Sequence, residues 1–515
     1  MLTLDLTDHA AAYQALLARD ARFDGCFFVG VTSTGIYCRP ICRVRTPMAK
    51  NCRFFQTQAQ AEAAKFRPCL KCRPEIAPGL SQMAWTVMDA SRTLARQAAH
   101  TLDTQAASGE LPRLQEVAVK LGVSDRHLRR IFQTEHGVSP VQYLQTRRLL
   151  LAKQLLTDTA LPITQVASAS GYRSLRRFNA AFAENYRMSP SRLRGDVKPD
   201  SSPHSGIAPD TLQISLGYRT PCDVLRLLKF FAQRSIPGVE VVDAVVSGLR
   251  VRRTVRAGAI DASNSARAAW IAAEFIPEKA RVLLSFSSEL AASSAALAQA
   301  ARRWLDLDAA PQAVDAMLAD LPGESGLRLP GSLDGFELAV RAVLGQQVTV
   351  AGARTLAGRF VQRFGEAVVT PWADINTAFP SPQSLAAVPA ERIAELGIIR
   401  SRAGAIVALA KAWPDLQPLT LAPHQPDALI ARLVALPGIG PWTASYIAMR
   451  ALGWPDIFLP NDVALLKAMK QLFNTANHRE ADAVAERWKP WRSYAVMHLW
   501  NSLEKPPQEP PPEPT

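Results

Sequence analysis

A chain of 515 residues, 48% of them hydrophobic, is too long for a single core and predicts three or four domains. No apolar run reaches membrane-spanning length, and the opening MLTLDLTDHA lacks the basic and apolar regions of a secretion signal, so the expectation is a cytoplasmic protein without a membrane partner. The net charge of +14 is lopsided: residues 1–200 carry 28 Lys and Arg against 16 Asp and Glu, and the remainder 31 against 29. A basic half of that size fits a polyanion, nucleic acid first, better than plain solubility.

Residues 1–80 are marked by cysteine, arginine and proline. YCRPIC and PCLKC set Cys38, Cys42, Cys69 and Cys72 in a C-x3-C…C-x2-C pattern. In a reducing compartment this spacing reads as one tetrahedral Zn²⁺ site rather than a pair of disulfides. Cys26, Cys52 and Cys222 stand outside the pairs and read as buried apolar residues or free thiols. Spacing alone leaves open whether the cage is purely structural or offers a reactive thiolate. Zinc keeps a thiol deprotonated, and four thiolates around it carry −2, enough for nucleophilic chemistry.

Residues 81–195 read as a helical connector followed by short helices. LQEVAVKLGVSDRHLRRIF predicts a helix, a turn at Gly122 and a second helix capped by Ser124. ITQVASASGYRSLRRF repeats the plan with Gly171 and Ser174. The second helices carry Arg126, Arg129 and Arg130, then Arg176 and Arg177, side chains suited to phosphates and guanine edges. One such unit could be an ordinary helical hairpin; two units in a basic region favour DNA. Residues 196–210 read as a linker. Alternating and helical runs over 211–330 predict an α+β module, residues 331–504 are nearly all helical, and the proline-rich 505–515 reads as a disordered tail.

Within the helical region, LPGIGPWTASY reads as a helix-hairpin-helix turn. Gly438 and Gly440 would let backbone N–H groups approach a DNA phosphate at a helix N-terminus. FLPNDVALLK then places Asp462 at a helix start, where it can cap the helix and also serve as a catalytic carboxylate.

FVGVTSTGIYCRPIC and NCRFFQTQAQAEAAKFRPCLKCRP, over residues 20–76, resemble the N-terminal domain of Ada-type adaptive-response proteins. The resemblance implies that Cys38 accepts a methyl group from a DNA methylphosphotriester. Residues 110–195 resemble an AraC-type DNA-binding domain. The Pro-Cys-His-Arg motif of the usual second Ada acceptor domain is missing, so repair of O6-alkylated guanine is not implied.

FELAVRAVLGQQVTVAGA, LPGIGPWTASY and ERWKPWRSYAVMHLW instead resemble AlkA-type 3-methyladenine DNA glycosylase II over residues 212–503. That resemblance puts the catalytic aspartate on Asp462, the base pocket on Phe230, Trp442, Tyr446 and Trp500, and the intercalating wedge on Gln347. The family has leucine at the wedge, and Val463 replaces the aromatic that commonly follows the aspartate. Bifunctional relatives carry a Schiff-base lysine where Trp442 stands, which implies a monofunctional hydrolase with no organic cofactor.

The fold expected is multidomain and mainly α with α+β parts: a small zinc-binding α/β domain, an AraC-type double helix-turn-helix, an AlkA-type α+β module and a helix-hairpin-helix glycosylase core. The function expected is a nucleoid-associated monomer that activates transcription with RNA polymerase and excises alkylated purines from double-stranded DNA. Two alternatives stand beside it: a regulator whose C-terminal half binds lesions without cutting, and a DNA-binding protein with a purely structural zinc.

Overall fold

The computed structural model describes residues 5–79, 90–107, 114–196, 211–246, 248–261, 267–421 and 426–504. The start of the expected connector, nearly all of the linker and the proline-rich tail lie outside these residues. No described helix is long and apolar enough to cross a membrane.

The N-terminal module is a four-stranded sheet in the order β3-β1-β2-β4, from β1 (Phe28–Val31), β2 (Ile36–Cys38), β3 (Cys52–Phe55) and β4 (Arg67–Pro68). β1 and β2 form a hairpin whose turn ends at Gly35, φ 65°, where a side chain would be strained. β4 lies parallel to β2, with Tyr37 opposite Pro68. Residues 38 and 69, one step beyond that pair, are thereby brought side by side from distant parts of the chain.

Next come the connector helix Ala90–Ala107 and two helix-turn-helix units. The first joins Leu114–Lys120 to Asp125–His136 through Gly122, φ 68°, with Ser124 capping the His127 N–H. It shares a core with the connector, including Ala95, Leu102, Val117 and Phe132. The long helix Pro140–Asp158 leads to the second unit, Ile163–Ala169 and Leu175–Tyr186, with Gly171 at φ 78° and Ser174 as cap. Both turns fall where the glycines and serines predict them.

Glu62, in the helix Gln58–Ala63, joins the first module to the second helix-turn-helix. Its buried carboxylate accepts from Tyr37 Oη at 3.1 Å and Tyr186 Oη at 3.4 Å. Burial pushes this carboxyl from 4.5 up to about 8, against the pull of its hydrogen bonds. A carboxyl raised by folding contributes stability that is complete below its ordinary range and lost as pH rises through the folded value. Thermal unfolding should therefore shift to lower temperature between about pH 5 and pH 8. Glu62→Gln should flatten that slope in a pH series of melting curves, and an unaltered slope would assign it to other groups.

The C-terminal half begins with an antiparallel sheet in the order β5-β9-β8-β7-β6, from β5 (Thr211–Gly217), β6 (Glu240–Val245), β7 (Gly248–Arg256), β8 (Ala268–Ile276) and β9 (Arg281–Ser287). The helix Val224–Arg234, capped by Asp223, follows β5. Among the described residues beyond 333 the elements are helices, as the periodicity predicts, apart from two two-residue strands. Buried Arg253 on β7 pairs with Glu240 at 3.0 Å and with Glu337 of the helix Gly335–Leu344, tying sheet to helices. The largest contiguous cluster of buried apolar side chains runs from Leu149, in the regulatory half, to Leu499 near the end of the last helix.

Candidate functional sites

The four predicted cysteines converge. Their sulfurs lie within 4.8 Å of one another. A tetrahedral Zn²⁺ with bonds of about 2.3 Å needs sulfurs roughly 3.8 Å apart, so this donor set fits the ion. Crowding alone drives the Cys38 thiol up and the Cys69 thiol down, as the sulfurs hydrogen-bond one another. One sulfur also accepts from the backbone: Cys72 from the Arg39 N–H at 3.3 Å. Cys26, Cys52 and Cys222 stay outside the cluster, buried or half-buried, with burial raising each thiol.

On the helix-turn-helix units, Arg126, Arg129, Arg130, Arg176 and Arg177 are all exposed on the second helices. Arg129 is paired to Asp125 at 2.9 Å, and Arg130 lies 3.1 Å from His127 Nδ1. These two must exchange their partners to reach a phosphate.

In the helical domain, the helix Pro441–Leu452 starts at Gly440 with no side chain capping it, which leaves N–H groups at its N-terminus open to an anion. Gly438, φ 78°, is required by the fold itself, since a Cβ there would lie 2.9 Å from Ala405 Cβ. A Cβ at Gly440 would meet nothing within 4 Å, so the fold does not demand that glycine.

Asp462 follows Asn461, whose left-handed backbone, φ 56°, turns the chain sharply into the helix Val463–Phe473. The carboxylate is 7% exposed. It accepts from the Leu465 N–H at 2.7 Å, from Trp442 Nε1 at 2.7 Å and from Trp500 Nε1 at 3.4 Å. It therefore caps the helix and faces the predicted pocket at once. Val463 is exposed beside it.

Trp442 and Tyr446, one helical turn apart, stack with centroids 5.3 Å apart and planes within 5°. Tyr446 and Trp500 are 6.4 Å apart and tilted by 47°. A base inserted between two rings needs about 7 Å, twice a van der Waals separation of about 3.5 Å. The Tyr446–Trp500 gap is nearest to that, and a modest opening would admit one.

Sequence reasoning missed two guanidiniums. Arg450 donates to Tyr446 Oη at 2.8 Å and to the carbonyls of Pro330 and Gly331. It lies 4.8 Å from the centroid of Phe230, and Arg234 lies 3.7 Å from the same ring. Burial works to raise the Tyr446 phenol, but Arg450, Arg234 and Arg341 outweigh it and leave the phenol below its ordinary value. Phe230 is thus sandwiched into the pocket's cationic side, whereas Trp442, Tyr446 and Trp500 gather at Asp462. Arg450 was legible in principle, because it continues the i, i+4 row of Trp442 and Tyr446.

The wedge position Gln347 is exposed with φ 51°. Its neighbour Gln346 donates from Nε2 to the Gly438 carbonyl at 3.0 Å and to Thr443 Oγ1 at 3.1 Å. The turn that carries the expected wedge is thereby tied to the hairpin. Gln346→Ala should slow base release on the order of tenfold in single-turnover assays while leaving metal content unchanged; an unchanged rate would make this tie incidental. A cleft of about 850 Å³ opens beside Phe230 and Trp500, lined by Arg226, Lys229, Arg234 and Arg354.

Models of known families fall on the chain in the order of these sites. The metal binding domain of Ada matches residues 11–75, a helix-turn-helix domain 117–196, the AlkA N-terminal domain 213–334 and the HhH-GPD superfamily of base excision DNA repair proteins 340–493. The matches define a protein that joins a metal-dependent, DNA-binding regulator to a base-excision glycosylase. Over 98% of its length the chain is 36% identical to the probable bifunctional transcriptional activator/DNA repair enzyme AlkA of Mycobacterium tuberculosis, 99% of which is covered. The chain belongs to that family. DNA-3-methyladenine glycosylase 2 of Escherichia coli is 36% identical over 56% of this chain and 96% of its own. The bifunctional transcriptional activator/DNA repair enzyme Ada of the same organism is 31% identical over 30% of this chain and 41% of its own.

Proposed function

We propose that this protein senses methylphosphotriesters through Cys38, binds promoter DNA through its two helix-turn-helix units and hydrolyses the N-glycosidic bond of alkylated purines at Asp462. The observation that carries the repair reading is the buried Asp462 carboxylate, gathered with Trp442, Tyr446 and Trp500 beside an uncapped hairpin helix.

In the glycosylase half, the N-terminus of the Pro441–Leu452 helix binds a phosphate next to the lesion, and Gln347 fills the gap left by the extruded base. The base stacks on the pocket aromatics, and a cationic purine is already a good leaving group. As the C–N bond breaks and the cationic purine leaves as a neutral base, Asp462 stabilises the positive sugar and orients the attacking water, whose proton passes to the carboxylate and then to solvent as the C–O bond forms. By the family resemblance Trp442 stands where bifunctional relatives carry an attacking lysine, and Lys229, lining the cleft, is paired to Glu504 at 2.6 Å. The product of this chemistry is an abasic site with the strand intact.

In the sensor half, bound Zn²⁺ would supply the charge that keeps the thiols of Cys38, Cys42, Cys69 and Cys72 deprotonated at neutral pH. The Arg39 N–H draws charge from Cys72, and the resemblance to the Ada-type domain supports Cys38 as the nucleophile. Cys38 Sγ bonds to the methyl carbon, the C–O bond breaks, and the phosphodiester leaves as an anion. The domains proposed are 1–80, 81–195, 211–330 and 331–504, in a monomer working at the nucleoid with RNA polymerase.

Base release from methylated DNA tests the repair reading. The rival, a lesion binder that does not cut, is favoured by one observation: both oxygens of Asp462 are already engaged. It requires wild-type protein to release no base.

A further inference from the structure

The two halves flanking residues 197–210 meet along the very loops that carry the metal ligands. Arg219, 3% exposed, follows β5 and donates to four backbone carbonyls. Two belong to the first module, Asp24 at 3.1 Å and Gly79; two belong to the glycosylase half, Asp308 at 3.0 Å and Ala309 at 3.3 Å. The Asp24 carboxylate holds the side chain of Arg39 in a buried ion pair. Arg39 follows Cys38 and also donates to the Cys72 carbonyl at 3.1 Å.

A second chain of contacts starts one residue after Cys72. Arg73 pairs with Glu75 at 2.9 Å and with Asp158 at 2.7 Å, and Lys153 pairs with Glu75 at 2.6 Å. The Asp158 carboxylate accepts the Ser215 N–H at 3.0 Å, and Gln154 donates to the Ser215 carbonyl at 2.8 Å. Ser215 lies in β5, the edge strand of the glycosylase sheet. An edge strand presents unpaired backbone groups, and here the regulatory half closes them.

Gly217 permits the approach between the halves, and Gly25 lets the first module close on its own Pro78 beside Arg219. A Cβ at Gly217 would lie 2.5 Å from the Ile76 carbonyl oxygen, and one at Gly25 would lie 2.0 Å from that of Pro78. No side chain fits in either place.

We propose that the loops carrying Cys38 and Cys72 are also the docking base for the glycosylase half, so that metal loading of the four cysteines governs whether the two halves stay joined. Arg39 and Arg73, each adjacent to a ligand, can hold Asp24, Glu75 and Asp158 in register only while those loops keep their shape. Arg219 is the latch. This role is separate from methyl acceptance and operates whether or not Cys38 reacts; it rests only on the metal reading of the cluster.

The test uses the full chain with a protease recognition sequence placed within residues 197–210. After cleavage, zinc-loaded protein should elute as one particle near 56.1 kDa, and stripping the metal with a chelator should separate the halves. Arg219→Ala should weaken their association on the order of 100-fold with metal content unchanged, because four carbonyls lose a buried cationic donor. If that variant does not accumulate, Arg302→Gln replaces it. Arg302 lies at the rim of the same interface, 3.4 Å and 3.3 Å from the Ile76 and Ala77 carbonyls, and its loss should weaken association about tenfold. Loaded halves that separate, or stripped halves that stay together, would overturn the proposal. An unweakened complex in Arg219→Ala would remove Arg219 as the latch, and one in Arg302→Gln would remove the interface that it rims.

Discussion

Asp462→Asn should lower base release from methylated DNA on the order of 100- to 1,000-fold while leaving promoter binding and the melting temperature nearly intact. The substitution separates the two roles that the structure gives this side chain. Asparagine is as good an N-cap as aspartate, so its Oδ1 can keep the bond to the Leu465 N–H. The other carboxylate oxygen accepts from Trp442 Nε1 at 2.7 Å, and an amide nitrogen placed there would meet a second donor. The negative charge opposite the sugar is lost outright. Single-turnover release of free base, measured beside thermal unfolding, distinguishes the outcomes. Loss of activity together with a large fall in stability would assign Asp462 to the fold, and full activity would remove it from the chemistry.

Protein alkylated on Cys38 should hold its operator several-fold more tightly than untreated protein at low salt, with the advantage fading as salt rises. Four thiolates and one Zn²⁺ carry −2, and methylation of one sulfur brings the site to −1. A unit charge roughly 10 Å from a phosphate is worth about 0.5–1.5 kcal/mol between surface and water-like screening. Raising the salt shortens the reach of that interaction. Mass spectrometry after incubation with methylphosphotriester DNA should find one added methyl on Cys38 and none on Cys42, Cys69 or Cys72. Cys38→Ala should abolish the transfer entirely. A methyl on another cysteine would overturn the assignment to Cys38, and equal affinities across a salt titration would leave the cage a scaffold.

The two halves of this protein are legible for different reasons. Cys38, Cys42, Cys69 and Cys72 announce a metal site because close pairs of thiols at two- and three-residue spacing can reach one ion through local loops. Gly122, Ser124, Gly171 and Ser174 announce their turns because φ near 70° and helix caps are local requirements. Asp462 is marked by its place at a helix start, and the pocket aromatics were reached through resemblance to a family. The cationic side of the pocket escaped notice: Arg234 and Arg450 reveal themselves only when both stand over Phe230.

By itself, then, the sequence determined the modules, their order and the metal donors, through local spacing and through resemblance to known families. The tertiary structure alone decided what joins them. Arg219 meets Asp24 across 195 residues of chain, Arg450 meets Pro330 across 120, and Gln346 meets Gly438 across 92. Such contacts have no period and no local signature. They exist because buried guanidinium and amide groups must find acceptors wherever packing places them, and packing is a property of the whole folded chain.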